Sequence, residues 1–253
     1  MNTQKPAMLP GASCFDLANQ AGTRQYRLFV GGKPSTDDAT PNQPLVILMD
    51  ANWLFASIYE FVRVWSLFES SLNNPLVVGV GYPTDDALSI LRQREEDMAP
   101  LPKNTATVQR NLEFVYQEIP RFLQNEYRFI PAKTILAGHS WGAAFALHVL
   151  TSNCCHFDAY LASSPPILYT WLEDIEAVLS NMQLSKKTEL FVSVGSEEDV
   201  GFEDIKYGVP KLTQSVSKLN LPLLDYFATT IEGFNHATVT HAAITRGLQH
   251  LLR

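Results

Sequence analysis

The segment Gly138-His139-Ser140-Trp141-Gly142 has the residue types for covalent catalysis by a hydroxyl. An apolar run ends at its first glycine and a helical apolar pattern follows its second, so the G-x-S-x-G spacing lies between a strand and a helix. That is the setting of a nucleophile elbow, where a sharp, strained turn presents the serine hydroxyl above the sheet. Such a turn needs small neighbours, and Gly138, Gly142 and Ala143 supply them. A serine hydroxyl is a weak nucleophile at neutral pH. It needs a base within hydrogen-bond reach, and the base needs an orienting carboxylate. On this architecture the three parts arrive in the order serine, acid, histidine. The chain offers Glu197, Glu198 and Asp199 after one apolar run and His236 after the next. Position alone leaves the choice among the three acids open. His241 is the runner-up base, but it falls within a helical pattern. His139 reads as packing, with its ring directed away from Ser140. There is no H-E-x-x-H arrangement, so metal-assisted hydrolysis has no support and no cofactor is expected. A developing oxyanion needs two backbone N–H donors. One is predicted at Trp141, directly after the nucleophile, and the other at Asn52, in the loop after the run 44–49. Each such donor contributes about 3 kcal/mol to a transition state.

These groups must be carried to one edge of a sheet. Continuous apolar runs at 44–49, 75–79, 133–137, 159–162, 189–194 and 224–228 read as strands, the first two as strands buried on both faces. Helical patterns at 55–69, 108–122, 168–182, 207–219 and 241–252 alternate with them, and Pro120 is predicted to kink the second. Alternating strands and helices imply a mostly parallel sheet covered on both faces. Two earlier strands, 13–18 and 25–30, with the turn-rich Asn19-Gln20-Ala21-Gly22 between them, read as an antiparallel hairpin. Residues 1–10 read as a flexible arm, and 11–253 as one α/β domain of the α/β-hydrolase fold. The stretch 83–103 is polar and reads as an irregular loop whose charges, Arg92 to Asp97, form surface ion pairs. Its place beside the strand ends makes it a candidate wall of a substrate site. Gly79-Val80-Gly81 is not a dinucleotide fingerprint, since Thr84 stands where a third glycine is needed.

Composition narrows the partners. The 253 residues are 46% hydrophobic and 18% charged, ordinary for a globular domain. A net charge of −7 with no basic run argues against nucleic acid. No segment has the length of a membrane-spanning helix. The first 18 residues lack a basic region followed by an apolar core, so no secretory signal is read there. Cys14, Cys154 and Cys155 make no C-x-x-C pair and cannot all pair with one another, which fits a reducing cytoplasm.

The chain resembles the "Putative esterase" family of α/β hydrolases, which includes esterase D, feruloyl esterases, mycolyltransferases and trilactone hydrolases of catecholate siderophores. The residues that carry the resemblance are Leu45 to Asp50 with Asn52, Trp53 and Phe55, then Gly138 to Gly142, Ser164-Pro165, Gly195 to Glu198, and Gly233 to His236. The siderophore-hydrolase-like members carry an Arg-x-x-Asp-x-x-Pro segment before the long helix, matched here by Arg94, Asp97 and Pro100. The resemblance implies Ser140 as nucleophile, His236 as base and Glu198 as acid. It also implies that Arg94 and Trp53 lie at the substrate, Arg94 beside an acidic or catecholate group. Ala51 and Ala143 depart from the family by replacing glycines, which narrows the room near the oxyanion hole. The expected activity is hydrolysis of a carboxylic ester, with a siderophore-like ester or lactone as the favoured small-molecule substrate. The rivals are a short-chain acyl esterase or thioesterase, an acyltransferase, and a binding protein on a hydrolase fold.

Overall fold

The computed structural model describes residues 8–34, 43–153, 157–167, 175–198 and 203–253. Cys154, Cys155, His156, Asp199, and the first seven residues of both the predicted arm and the predicted helix 168–182 lie outside them.

Eight strands form one sheet: β1 (Ala12–Ala18), β2 (Gln25–Gly31), β3 (Leu45–Leu48), β4 (Leu76–Gly81), β5 (Thr134–His139), β6 (Ala159–Ser163), β7 (Thr188–Gly195) and β8 (Leu224–Ile231). Their order across the sheet is β1-β2-β4-β3-β5-β6-β7-β8. β1 and β2 form the antiparallel hairpin, β2 joins β4 antiparallel, and every pair from β4 to β8 is parallel. β3, β4 and β6 are buried along their whole length, which is why they read as unbroken apolar runs. The period of two splits β3 between the faces: Leu45 and Ile47 join one core with Phe145 and Leu112, while Val46 and Leu48 join the other with Ile58 and Ile244. Helices α1 (Ala51–Phe68) and α8 (Val239–Leu251) cover the second face; α3 (Thr105–Glu113), α4 (Ile119–Tyr127), α5 (Trp141–Thr151) and α7 (Glu203–Leu219) pack on the first. α6 (Ile175–Ser180) packs against α7. This is the α/β-hydrolase arrangement.

Two expectations change. The stretch 83–103 is no irregular loop: α2 spans Ala87–Met98, capped by the Asp86 side chain, which accepts from the Ser89 amide. Its buried residues are Ile90, Arg94, Asp97 and Met98, spaced as one helical face. Two of the four are charged, so apolar periodicity does not register them, and their pairs are buried rather than solvated. The long helix 108–122 is divided into α3 and α4 by a π turn, Phe114–Glu118, which ends just before Pro120. Widening the turn there absorbs the backbone donor that proline lacks. By contrast, Pro210 lies inside a continuous α7.

Candidate active site

The chain leaves β3 in one direction, towards β4, and the next strand, β5, lies on its other side. This switch point opens a crevice beyond the carboxyl ends of β3 and β5, the place where ligands enter open α/β sheets. The two residues that close these strands both have positive φ. Ser140 has φ 56° and ψ −121°, the strained elbow that begins α5, and Asp50 has φ 60° and ψ 34° at the start of α1. Close packing holds the elbow. A Cβ on Gly138 would collide with the Gly142 backbone, and one on Gly142 would press within 3.0 Å of the Asp50 carboxylate. The Ser140 amide donates to the Ser163 carbonyl of β6 at 2.9 Å, which leaves the side chain to face the crevice.

His236 follows β8 in the loop predicted for it. Its Nδ1 lies 3.1 Å from Oε2 of Glu198, which follows β7. Glu198 is 1% exposed. Its other oxygen, Oε1, accepts from the Ser164 hydroxyl at 2.5 Å and the Gly195 amide at 2.9 Å. A carboxylate held by three neighbours is fixed in position. Glu197 is exposed. Of the two acids that are described, Glu198 is therefore the one that meets the histidine. Ser164, whose φ is 49°, is a supporting residue whose part the motif Ser164-Pro165 does not announce.

His139 is buried, and its ring stacks on His236 with centroids 4.6 Å apart. Its Nδ1 lies 3.0 Å from the Ser163 hydroxyl. Burial, with the neighbouring His236 and Arg94 charges, holds its pKa well below the usual histidine value, so it is a neutral platform under the base. His241 lines the same cavity but is bonded through Nε2 to the Ser57 hydroxyl at 2.7 Å.

The candidate oxyanion donors lie on the first turns of two helices, where amides have no intrahelical acceptor. Trp141 opens α5 and Asn52 is the second residue of α1. The Asn52 side chain is occupied elsewhere: Oδ1 accepts from the Tyr82 amide at 2.8 Å, and Nδ2 donates to the Tyr82 carbonyl at 2.9 Å. It fastens the start of α1 to the end of β4, where a Cβ on Gly81 would strike it. That contact gives the non-nucleotide Gly79-Val80-Gly81 a structural purpose.

Arg94 reaches the elbow from α2. Its Nε bonds Asp50 Oδ1 at 2.5 Å, and its Nη2 bonds Asp50 Oδ2 at 3.0 Å and the His139 carbonyl at 2.9 Å. It lines the cavity as expected, yet Nε and Nη2 are committed to the protein rather than to a substrate anion. Trp53, 45% exposed, stands at the rim with Leu54 and Leu91. The cavity has a volume of about 450 Å³ and includes Ser140, His139, His236 and Arg94 in its walls. Asp97 lies deeper, paired with Arg24 of the hairpin turn at 3.0 Å. Burial pushes its carboxyl up to about 6 despite that partner. No group of three or more metal-binding side chains occurs among the described residues.

Known proteins are similar to this chain in sequence and in fold. Ferri-bacillibactin esterase BesA of Bacillus subtilis is 26% identical over 206 residues, 76% of this chain and 68% of its own. The siderophore triacetylfusarinine C esterase of Aspergillus fumigatus is 25% identical over 274 aligned positions, 96% of this chain and 94% of its own. The crystal structure of the BES protein from Bacillus cereus superposes with a TM-score of 0.84 at 23% identity, covering 98% of this chain and 97% of that one. The family profile described as "Putative esterase" matches residues 33–223, well over half of the sequence, and the chain belongs to that family.

Proposed function

We propose that this esterase hydrolyses carboxylic esters through Ser140, His236 and Glu198, in one catalytic domain spanning 11–253, with a siderophore-like ester or lactone as substrate. The observation that carries the reading is the buried Glu198 joined to His236 Nδ1, on the loops that follow β7 and β8, facing the cavity that the elbow also lines. The Ser140 hydroxyl attacks the ester carbonyl carbon and His236 accepts its proton. The amides of Trp141 and Asn52 hold the oxyanion. When the tetrahedral intermediate collapses, His236 gives its proton to the departing alcohol. Water then attacks the acyl-enzyme with His236 again as base, releasing the acid and restoring Ser140. Trp53 offers an aromatic wall to the substrate. The esterase activities for which the Bacillus subtilis and Aspergillus fumigatus relatives are named support a siderophore ester over a general short-chain ester. Three cysteines with no C-x-x-C pair support action in a reducing cytoplasm, and no helix among the described residues is long and apolar enough to cross a membrane.

The test is a fluorophosphonate, which reports an activated serine without a chosen substrate. Mass spectrometry should locate the adduct on Ser140, and labelling should be lost in Ser140→Ala and His236→Ala. An unlabelled wild-type protein near neutral pH sinks the catalytic assignment. Release of the hydrolysed acid from a siderophore triester, at a rate above that from 4-nitrophenyl acetate, supports the substrate class. Faster turnover of the small ester points to the general esterase.

A further inference from the structure

We infer that this site selects electrically neutral esters and turns away polyanionic ones. The inference rests on the esterase reading and adds the charge of the substrate to it. The described connections leaving the carboxyl ends of β3 to β8 (49–50, 82–86, 140, 164–167, 196–198 and 232–238) carry four exposed carboxylates, Asp85, Asp86, Glu197 and Glu232, and no Lys or Arg; Asp50 and Glu198 are buried there, Asp50 in its pair with Arg94. The opposite end of the sheet is different. There the described connections (32–34, 43–44, 69–75, 128–133, 152–153, 157–158, 181–187, 220–223 and 252–253) hold six Lys and Arg against two acids. The crevice thus opens on the acidic end of a molecule whose net charge is already −7.

Three cations of the hairpin and α2 are paired with acids. Arg94 is bidentate to Asp50. Arg24 is tied to Glu96 and Asp97, and Arg27 to Asp16. Arg92 is exposed on α2, three residues before Glu95. The cavity walls are a second, independent indication. Trp53, Leu54, Leu91 and Ala237 make an apolar lining, and Leu88, 72% exposed, extends it one turn along α2. An apolar slot set in an acidic face favours a ligand with apolar surface and no net negative charge.

For iron chelates the rule is sharp. Three catecholates bring six negative charges to Fe(III), so the complex carries a net −3; three hydroxamates bring three and the complex is neutral. The structure therefore points to a neutral, hydroxamate-type chelate ester rather than a tricatecholate trilactone. Hydrolysis consumes one water per ester and releases an alcohol and a carboxylate, so each cycle turns a neutral ligand into an anion that the same face repels.

Two ester pairs test this. The first is 4-nitrophenyl hexanoate against mono-4-nitrophenyl adipate, similar in length and differing by one charge. The second is a neutral ferric trihydroxamate triester against a ferric tricatecholate trilactone. At 20 mM salt the neutral member of each pair should have the higher kcat/KM, by about tenfold or more for the chelates, within the range that steering fields produce. At 0.5 M salt the gap should narrow, because screening shortens the reach of the field. In the double variant D85K/E232K, which changes two exposed side chains, turnover of the anionic esters should rise several-fold and that of the neutral ones should stay level. Equal or faster turnover of the anionic esters by wild type, unchanged by salt, overturns the charge preference while leaving the esterase reading intact. No turnover of any ester, with no labelling of Ser140, removes both.

Discussion

Replacing Arg94 by Met should slow hydrolysis of every ester, including small neutral ones, because Arg94 acts on the elbow rather than on a substrate charge. Arg94 is 8% exposed and Asp50 6%, so neither is screened by water. Its three bonds join α2 to both sides of the crevice: two to Asp50, which starts α1, and one to the carbonyl of His139, the residue before the nucleophile. Removing one partner of a buried ion pair strands the other charge and costs about 3–5 kcal/mol of stability. In a chain of this length that lowers Tm by roughly 10 °C. Asp50 is also the residue that adopts φ 60°, and a non-glycine residue stays there only while its surroundings insist on it. Freed from Arg94, the turn that aims the Asn52 amide can relax, and a displacement of about 1 Å costs roughly 100-fold in rate. The assay is kcat and KM on 4-nitrophenyl acetate at 25 °C, where the variant remains folded, beside thermal melts. The expected result is a fall in kcat of about 100-fold with KM little changed. Asp50→Asn should behave alike, and the double variant should be little worse than the worse single one, since both break the same pair. If Arg94→Met keeps wild-type kcat on the neutral ester and loses activity only on acidic esters, the positioning argument is wrong and Arg94 contacts the substrate.

Further consequences follow from the neighbouring contacts. Glu198→Gln keeps the shape but not the charge that orients His236, and kcat should fall by about 10³ to 10⁴, read as slower hydrolysis and slower fluorophosphonate labelling. Ser164→Ala removes one donor to Glu198, a charge-assisted bond of about 1.5–3 kcal/mol, so its kcat should fall by a smaller factor, between tenfold and about 100-fold. Arg24→Met strands Asp97, whose carboxyl is already pushed up to about 6. Because the folded value is raised above the unfolded one, the folded state takes up the proton first, and the variant's deficit in urea unfolding should be largest at pH 8 and shrink towards pH 5. A deficit independent of pH would refute this. His139 works in the opposite sense: its value is lowered on folding, so it destabilises the protein as pH drops below the usual histidine range. His139→Gln should therefore lose less stability than wild type between pH 7.5 and 5.5.

The parts of the site that were legible in the sequence are those set by backbone geometry or by chain order. Ser140 was visible because a strained turn between strand and helix demands Gly138 and Gly142 around it. His236 was visible because it follows the last strand, in the serine-acid-histidine order. The buried strands were visible because full burial leaves an unbroken apolar run. The acid was not fixed by pattern, since Glu197, Glu198 and Asp199 are adjacent carboxylates and only the turn after β7 decides which of them points inward. The family resemblance favoured Glu198, which is the buried one of the two described and lies against His236.

α2 was missed for a different reason, and the reason says something about the site. Hydropathy periodicity finds a buried face only where that face is apolar, and half of this one is Arg94 and Asp97. Their partners lie 44 and 73 residues away in the chain, so nothing local marks them as buried. The one local signal was Asp86, an N-cap followed by Ala87 and Leu88. Such a helix cannot be held in place by apolar burial alone. It is held by ion pairs at two levels, Asp97 to Arg24 in the hairpin and Arg94 to Asp50 at the elbow, with Asn111 of α3 donating to the Asp97 carbonyl between them. Buried pairs of this kind contribute little net stability against an apolar alternative, but they fix position, because a shifted register would leave two charges unpaired in the interior. The geometry of the crevice therefore depends on residues as far from it as Arg24, and on the same helix that carries the cavity-lining Leu91 and the exposed Leu88. One polar helix thus positions the elbow on its buried side and helps form the binding surface on its exposed side.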